Sequence, residues 1–133
     1  MEQKMDYVPI DQEFAKEKQY RVYYEESGEK KPWDVYMTKV DLKNGPYGDY
    51  VFYKIQLIYD SNRELYIVLT RYGMIGENGM HQRTPFNDVE EAKKEFRAIF
   101  KAKSGNEWDS LPEFEPQRKK YQLTQVSYTN VKH

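Results

Sequence analysis

The side chains best suited to chemistry in this sequence are arginine, lysine and tyrosine, and they gather in two places. Arg71, Tyr72 and Gly73 lead into a loop, GMIGENG, with glycines at 73, 76 and 79. A guanidinium there can donate in pairs to a phosphate, and the phenol ring beside it can lie against a sugar or base. The same two residues also read as an arginine paired with a carboxylate in a sheet and a tyrosine of the core. Lys101, Lys103, Arg118, Lys119, Lys120 and Tyr121 make the second group. A solvated helix end followed by a basic turn accounts for them. If a closing strand brings Tyr121 beside the first group, the two would form one phosphate-binding face. The glycine loop misses the dinucleotide spacing and lacks the Gly-Lys-Ser or Gly-Lys-Thr ending of a phosphate loop, which leaves turn or bulge geometry, or backbone approach to a ligand.

Other chemistry is sparse. Asp49, Asp60, Glu64, Glu77, Glu107 and Asp109 are carboxylates near turns, and no nucleophile or metal-ligating partner stands at a useful spacing from them, so solvated turn roles are expected. His81 and His133 are the only histidines and there is no cysteine, too few ligands for a usual zinc or haem site and none for a disulfide. His81 reads as a surface or strand residue, with ligand contact as the alternative. No catalytic, metal or cofactor site is expected.

The elements that must hold these residues centre on residues 51–79, two long strands joined at Asp60, Ser61 and Asn62. Phe52, Lys54, Gln56 and Ile58 interleave with Tyr53, Ile55, Leu57 and Tyr59, so a strand with one mainly apolar face and one mixed, half-exposed face is expected, hairpin-paired with the β-branched run 65–70. Shorter strands are expected at residues 20–24, 35–40, 80–84 and 121–128. The strongest helix signal lies between Asn87 and Gly105. Asn87 or Asp88 can cap it, Glu90 and Glu91 occupy the first turn, and Val89, Ala92, Phe96, Ile99 and Phe100 form one stripe. Trp108, Leu111 and Phe114 read as core plugs after it. This is an α+β pattern, a twisted antiparallel sheet of four to six strands with one main helix on a face. Residues 1–18 are expected to be a flexible segment with at most a short helix over 11–18, residues 19–129 the domain and 130–133 a tail.

With 133 residues the chain reads as one domain. Tyrosine supplies 13 of them, so amphipathic rings must fill much of the core or face a partner. Formal charge is −1 but unevenly spread, with 8 basic and 11 acidic side chains in residues 1–49 against 10 basic and 8 acidic in residues 80–133. A local basic surface is compatible with this, whereas a strongly cationic binder is not. No apolar run approaches the ~20 residues that span a bilayer, and a soluble intracellular domain is the expectation.

Taken together, FYKIQLIYDSNRELYIVL, TRYGMIGENG, EEAKKEFRAIFKAKSGNEW and RKKYQL resemble the WGR domain of the DNA-dependent poly(ADP-ribose) polymerases, especially the members with short N-termini. The likeness covers about residues 22–128 and includes Lys103, Ser104, Asn106 and Trp108 as the helix-end signature K-[ST]-x-N-x-W. The resemblance implies a noncatalytic domain that binds double-stranded DNA ends or nicks, commonly 5′-phosphorylated, in the nucleus. It also implies that binding is relayed to helical and ADP-ribosyltransferase domains of the same polymerase. By position it places Tyr72, Gly73 and Met74 at the Trp-Gly-Arg of the naming motif, Tyr50 where several relatives have a DNA-contacting asparagine, and Tyr121 at a tyrosine near the DNA terminus. Arg71, Tyr72, Gly73, Lys103, Lys119, Lys120 and Tyr121 are thereby the expected nucleic-acid contacts. Met74 lacks the charge of arginine and Tyr50 replaces an amide by a ring. These two are the expected partner interface under the alternative reading, an interaction module with reduced or lost DNA binding.

Overall fold

A computed structural model of the chain describes residues 10–14, 16–25, 31–41 and 49–124. The strands are β1 (Tyr20–Val22), β2 (Tyr24–Glu25), β3 (Lys31–Pro32), β4 (Asp34–Asp41), β5 (Asp49–Asp60), β6 (Leu65–Met74), β7 (Met80–Phe86) and β8 (Gln122–Leu123). One helix, α1 (Val89–Ser104), and 3-10 turns at Gln12–Phe14 and Trp108–Ser110 complete the described elements. The main sheet is antiparallel in the order β7-β6-β5-β4-β8, with β1 also on β5, and β2 and β3 form a separate pair. This is the expected α+β architecture.

β5 and β6 pair from Val51↔Met74 to Asp60↔Leu65. The turn between them is organised from inside by Asp60, whose Oδ1 accepts from the backbone N–H groups of Asn62 and Arg63 at 3.0 and 3.3 Å. Asp60 is therefore buried, in contrast to the solvated role expected of it. Side chains alternate across a strand, so Val35, Met37, Tyr53, Ile55, Leu57 and Val68 face α1, where Ala92, Phe96 and Phe100 of the apolar stripe meet them in one core with Trp33 and Trp108. Trp108 rings contact Phe96 at 4.7 Å and Phe100 at 5.3 Å, which makes it the plug expected from its place after the helix. Leu111 and Phe114 pack on the same core from its margin.

The helix starts at Asp88, whose side chain accepts from the N–H of Glu90, and ends at Gly105, whose left-handed backbone (φ 75°) turns its N–H onto the Lys101 carbonyl. Lys93 lies on the buried side of α1. Its ammonium hydrogen-bonds Glu25 at 3.3 Å and lies over the rings of Tyr23 and Trp33. Burial works to lower its pKa, but the Glu25 hydrogen bond and the surrounding charges prevail and hold it above its ordinary value.

β5 departs from its expected half-exposure, because the second face of the sheet is covered too. Phe14, Tyr20, Ile58, Ile67 and Leu69 form a second core there. Its cover comes from the stretch expected to be flexible, of which residues 1–9 and 15 lie outside the described residues. Asp11 and Phe14 are both buried, and Gln56, in the middle of β5, is fully buried because it accepts from the Asp11 N–H at 3.0 Å and donates to Asp34 at 2.8 Å. An amide with both ends satisfied can sit where an apolar side chain was otherwise required. The expected closing strand is short, with Gln122 and Leu123 pairing Thr38 and Met37. Its residues 125–128 lie outside the described residues, as does the 130–133 tail.

Candidate nucleic-acid interface

Tyr53 is the hub of a cluster on the helix-bearing face. Tyr72, its register partner, stacks on it with ring centroids 5.3 Å apart and planes 11° from parallel, and Tyr121 meets it edge-on at 5.7 Å. The Lys103 ammonium lies 4.8 Å from the Tyr53 ring centroid and the Lys39 ammonium 4.8 Å from that of Tyr121. Attraction between ammonium and π-face fixes both cations beside the rings. The position of Tyr121 is set by its N–H, which donates to the Lys103 carbonyl at 2.9 Å, so the last turn of α1 delivers lysine and tyrosine together. Burial pushes the Tyr53 phenol above its ordinary pKa, while a hydrogen bond with Thr70 works the other way.

Lys39 also lines an adjoining open groove of about 460 Å³, whose other lining residues include Val40, Tyr50, Ile75, Gln117, Arg118, Lys119, Lys120 and Gln122. Four cationic residues line it and, among the described residues, no carboxylate does. Arg118 and Lys119 are exposed, whereas the Lys120 ammonium donates to the Ala102 carbonyl at 3.1 Å and so also satisfies the C-terminal end of α1. Tyr50 is 57% exposed and its carbonyl accepts from the Ile75 N–H at 2.9 Å, which fixes the loop wall of the groove against β5.

Tyr72, Lys103 and Tyr121 thus come together, and Lys119, Lys120 and Tyr50 line the groove next to them. Arg71 does not join them. Neighbouring strand residues face opposite ways, and Arg71 points into the second core, only 8% exposed. Its Nε donates to both Asp11 carboxylate oxygens at 3.1 Å and its Nη1 donates to the Asn78 carbonyl at 2.7 Å. The phosphate-contact expectation for Arg71 therefore gives way to its alternative, an arginine paired with a carboxylate. Gly73 also has a structural reason. A Cβ there would lie 2.8 Å from the Gly79 Cα, and one on Gly79 (φ 76°) would lie 2.3 Å from the Tyr72 carbonyl oxygen. Gly73 and Gly79 answer to this close backbone crossing at the β6–β7 turn, whereas a Cβ on Gly76 would meet nothing and only its φ of 99° favours glycine there.

Met74 is 43% exposed, on the same side of β6 as Tyr72, and Met80, the register partner of Tyr72, is exposed beside it; Val40, on the opposite side of β4 from Met37, and Ile75 in the following loop are exposed as well. His81 is exposed with its ring edge-on to Phe14 at 5.1 Å. Glu107 and Asp109 pair with Lys101 and Arg97. No group of three or more His, Cys, Asp or Glu side chains able to hold a metal ion occurs among the described residues. Tyr53 and Lys39 are the functional candidates that sequence reasoning missed. The signal for Lys39 was its place in the alternation with Val35 and Met37, a lysine where the pattern called for an apolar residue.

The WGR domain family model matches residues 33–115, which include the central hairpin, α1 and Trp108. The chain is 47% identical over 98 residues, 73% of its length, to the "Poly [ADP-ribose] polymerase tankyrase" of Caenorhabditis elegans. It is 39% identical over 75 residues, 56% of its length, to the human "Protein mono-ADP-ribosyltransferase PARP3" and 30% identical over 96 residues, 71% of its length, to the human "Poly [ADP-ribose] polymerase 2". The matched stretches make up 4%, 14% and 16% of those three proteins, so the chain spans a small fraction of the length of its relatives. A match across more than half of the chain, on the sheet and helix just described, makes this chain a member of the WGR domain family.

Proposed function

We propose that this domain binds double-stranded DNA at ends or nicks, with a terminal 5′-phosphate in the basic groove and the exposed sugar or base against the tyrosines. On this reading it relays binding to the helical and catalytic regions of an ADP-ribosyltransferase and acts in the nucleus. The observation that carries the reading is the acid-free groove of Lys39, Arg118, Lys119 and Lys120 beside the Tyr53, Tyr72 and Tyr121 rings. Cations that gather without carboxylates attract a phosphate chain, and a partly open aromatic platform favours a terminus whose last base is not covered by a neighbour. Tyr72 and Tyr121 are both half-buried, whereas Tyr50 is 57% exposed and is the ring most open to a terminus.

A second reading, a protein or interdomain docking surface, is favoured by one observation. Val40, Tyr50 and Ile75 leave an apolar wall on the groove, with Met74 and Met80 exposed beyond it, a composition suited to protein contact. The discriminating experiment is a binding panel at matched salt with 5′-phosphorylated duplex ends, unphosphorylated ends, nicked duplex and closed circular duplex. Preference for phosphorylated ends, reduced by Lys119→Ala, supports DNA-end recognition. Equal affinity for all four would refute it, and the absence of duplex binding would leave the docking reading.

A further inference from the structure

The buried Arg71 guanidinium joins two pieces of chain far apart in sequence. On one side it holds Asp11, whose side chain is fully buried and also pairs with the Lys54 ammonium at 3.1 Å. On the other it holds the Asn78 carbonyl, in the loop between β6 and β7. A second tie runs in parallel, from the Gln12 side-chain amide to the Asn78 side-chain oxygen at 3.3 Å. The loop that receives both ties begins with Ile75, a wall of the groove. Its remaining described backbone ties lie at its start, Ile75 N–H to Tyr50 and Glu77 N–H to Met74.

We infer that Asp11 and Arg71 are positioning residues: seating of residues 10–14 on the second face of the sheet fixes the 75–79 loop, and through Ile75 the shape of the groove. The geometry suits such a relay because a guanidinium has donors on two sides. Nε is committed to Asp11 while Nη1 reaches Asn78, so displacing the carboxylate frees the guanidinium to rotate and withdraw from the loop. A lysine at 71 would retain the charge but gathers its donors on one nitrogen and loses the planar fork that serves Asp11 and Asn78 from separate nitrogens. Burial sharpens the effect, since an arginine and a lysine that lose their shared carboxylate must seek water or another acceptor. Coupling of this kind is reciprocal, so a ligand that fixes the Ile75 wall must also favour the seated strap.

The test uses the full chain with two substitutions. Asp11→Asn keeps the shape of the side chain and removes its charge. Arg71→Lys keeps a charge on Asp11 and removes the span to Asn78. Amide hydrogen exchange is followed for the 75–79 loop and, as an internal reference, for the Phe96 and Phe100 turns of α1. Expected for both variants is exchange about tenfold faster or more in the loop with the α1 amides within about twofold of wild type, a local opening and not a global one. Unchanged loop exchange in Arg71→Lys overturns the inference, and so does acceleration shared equally by loop and helix in both variants. If Asp11→Asn does not fold, Arg71→Lys alone decides by the same criteria. A second arm, which rests on the DNA reading, measures affinity for a 5′-phosphorylated duplex end and expects a loss of about threefold or more in each variant that loosens the loop. Where wild type binds no duplex, the exchange result still decides the relay, and the failure belongs to the DNA reading. A loosened loop with unchanged affinity in a wild type that does bind overturns the link from loop to groove.

Discussion

If the groove meets a phosphate chain, the salt dependence of binding is set by how many of its cations displace counterions. Four cationic residues line it, Lys39, Arg118, Lys119 and Lys120. With each contact contributing about −0.9 to the slope of log K against log salt, full engagement gives a slope near −3.6 and an affinity loss of about 150-fold between 50 and 200 mM salt. The four are not equivalent. Lys120 donates to the Ala102 carbonyl and Lys39 lies over Tyr121, whereas Arg118 and Lys119 are exposed and neither has a hydrogen-bond or ion-pair partner among the described residues. These two are available without breaking a contact. Replacing both, Arg118→Ala with Lys119→Ala, should bring the slope to about −1.8 and shrink the same salt loss to roughly 12-fold. Fluorescence anisotropy with a labelled, 5′-phosphorylated duplex from 50 to 200 mM salt reads both numbers. Lys94→Ala, an exposed helix lysine outside the groove, should leave the slope unchanged. A wild-type slope near zero, or a double variant that weakens binding without changing the slope, would refute the assignment of these cations to phosphate.

Three further outcomes follow from the fold. Gly79→Ala places a methyl 2.3 Å from the Tyr72 carbonyl oxygen at a left-handed backbone position. It should destabilise the domain by about 2 kcal/mol or more in urea titration, since the left-handed cost of ~1–2 kcal/mol adds to a clash that only backbone movement can relieve. Phe96→Ala removes a fully buried ring that touches Trp33 and Trp108 and should cost about 3–5 kcal/mol in the same assay. Stability should also fall on the alkaline side. Tyr53 and Lys93 both have raised folded pKa values, so the folded state holds their protons after the unfolded chain begins to release them near pH 10. Their stabilisation is intact below that pH and is lost as pH rises through the folded values. Urea midpoints from pH 8 to 11 should decline less steeply in Tyr53→Phe than in wild type.

Helix and hairpin were legible in the sequence because each carries its signal locally. Asp88 and Gly105 bound α1 as their side-chain chemistry and conformational freedom dictate, and the stripe from Ala92 to Phe100 faces the core. The covering of the second face was not legible, since its signal is nonlocal. Asp11 looks like a surface residue until Arg71 and Lys54 surround it, and Gln56 looks like a mark of exposure until Asp11 and Asp34 satisfy both ends of its amide. The division between Arg71 and Tyr72 could have been read in advance, because adjacent residues of one strand cannot serve a ligand on one face. The two groups could be joined in advance only on the condition that the last strand carried Tyr121 to the hairpin, and Tyr53, which touches Tyr72, Tyr121 and Lys103, was hidden among the apolar residues of β5.

The two partners on one edge of β5 bear on the order in which this domain assembles. β4 pairs that edge up to Gln56 and β1 takes over from Ile58, while Trp33 and Tyr23 bond the Leu57 backbone at the seam. Neither β1 nor β4 has a long partner of its own that precedes β5 in the chain, among the described residues. Only β5 and β6 close across a four-residue turn, where chain entropy opposes closure least, so that hairpin is the template on which the earlier strands must wait. During synthesis from the N-terminus, Val35 and Met37 therefore leave the ribosome before the strand that buries them. The interval until residue 74 has emerged is when this domain is most exposed to wrong pairings.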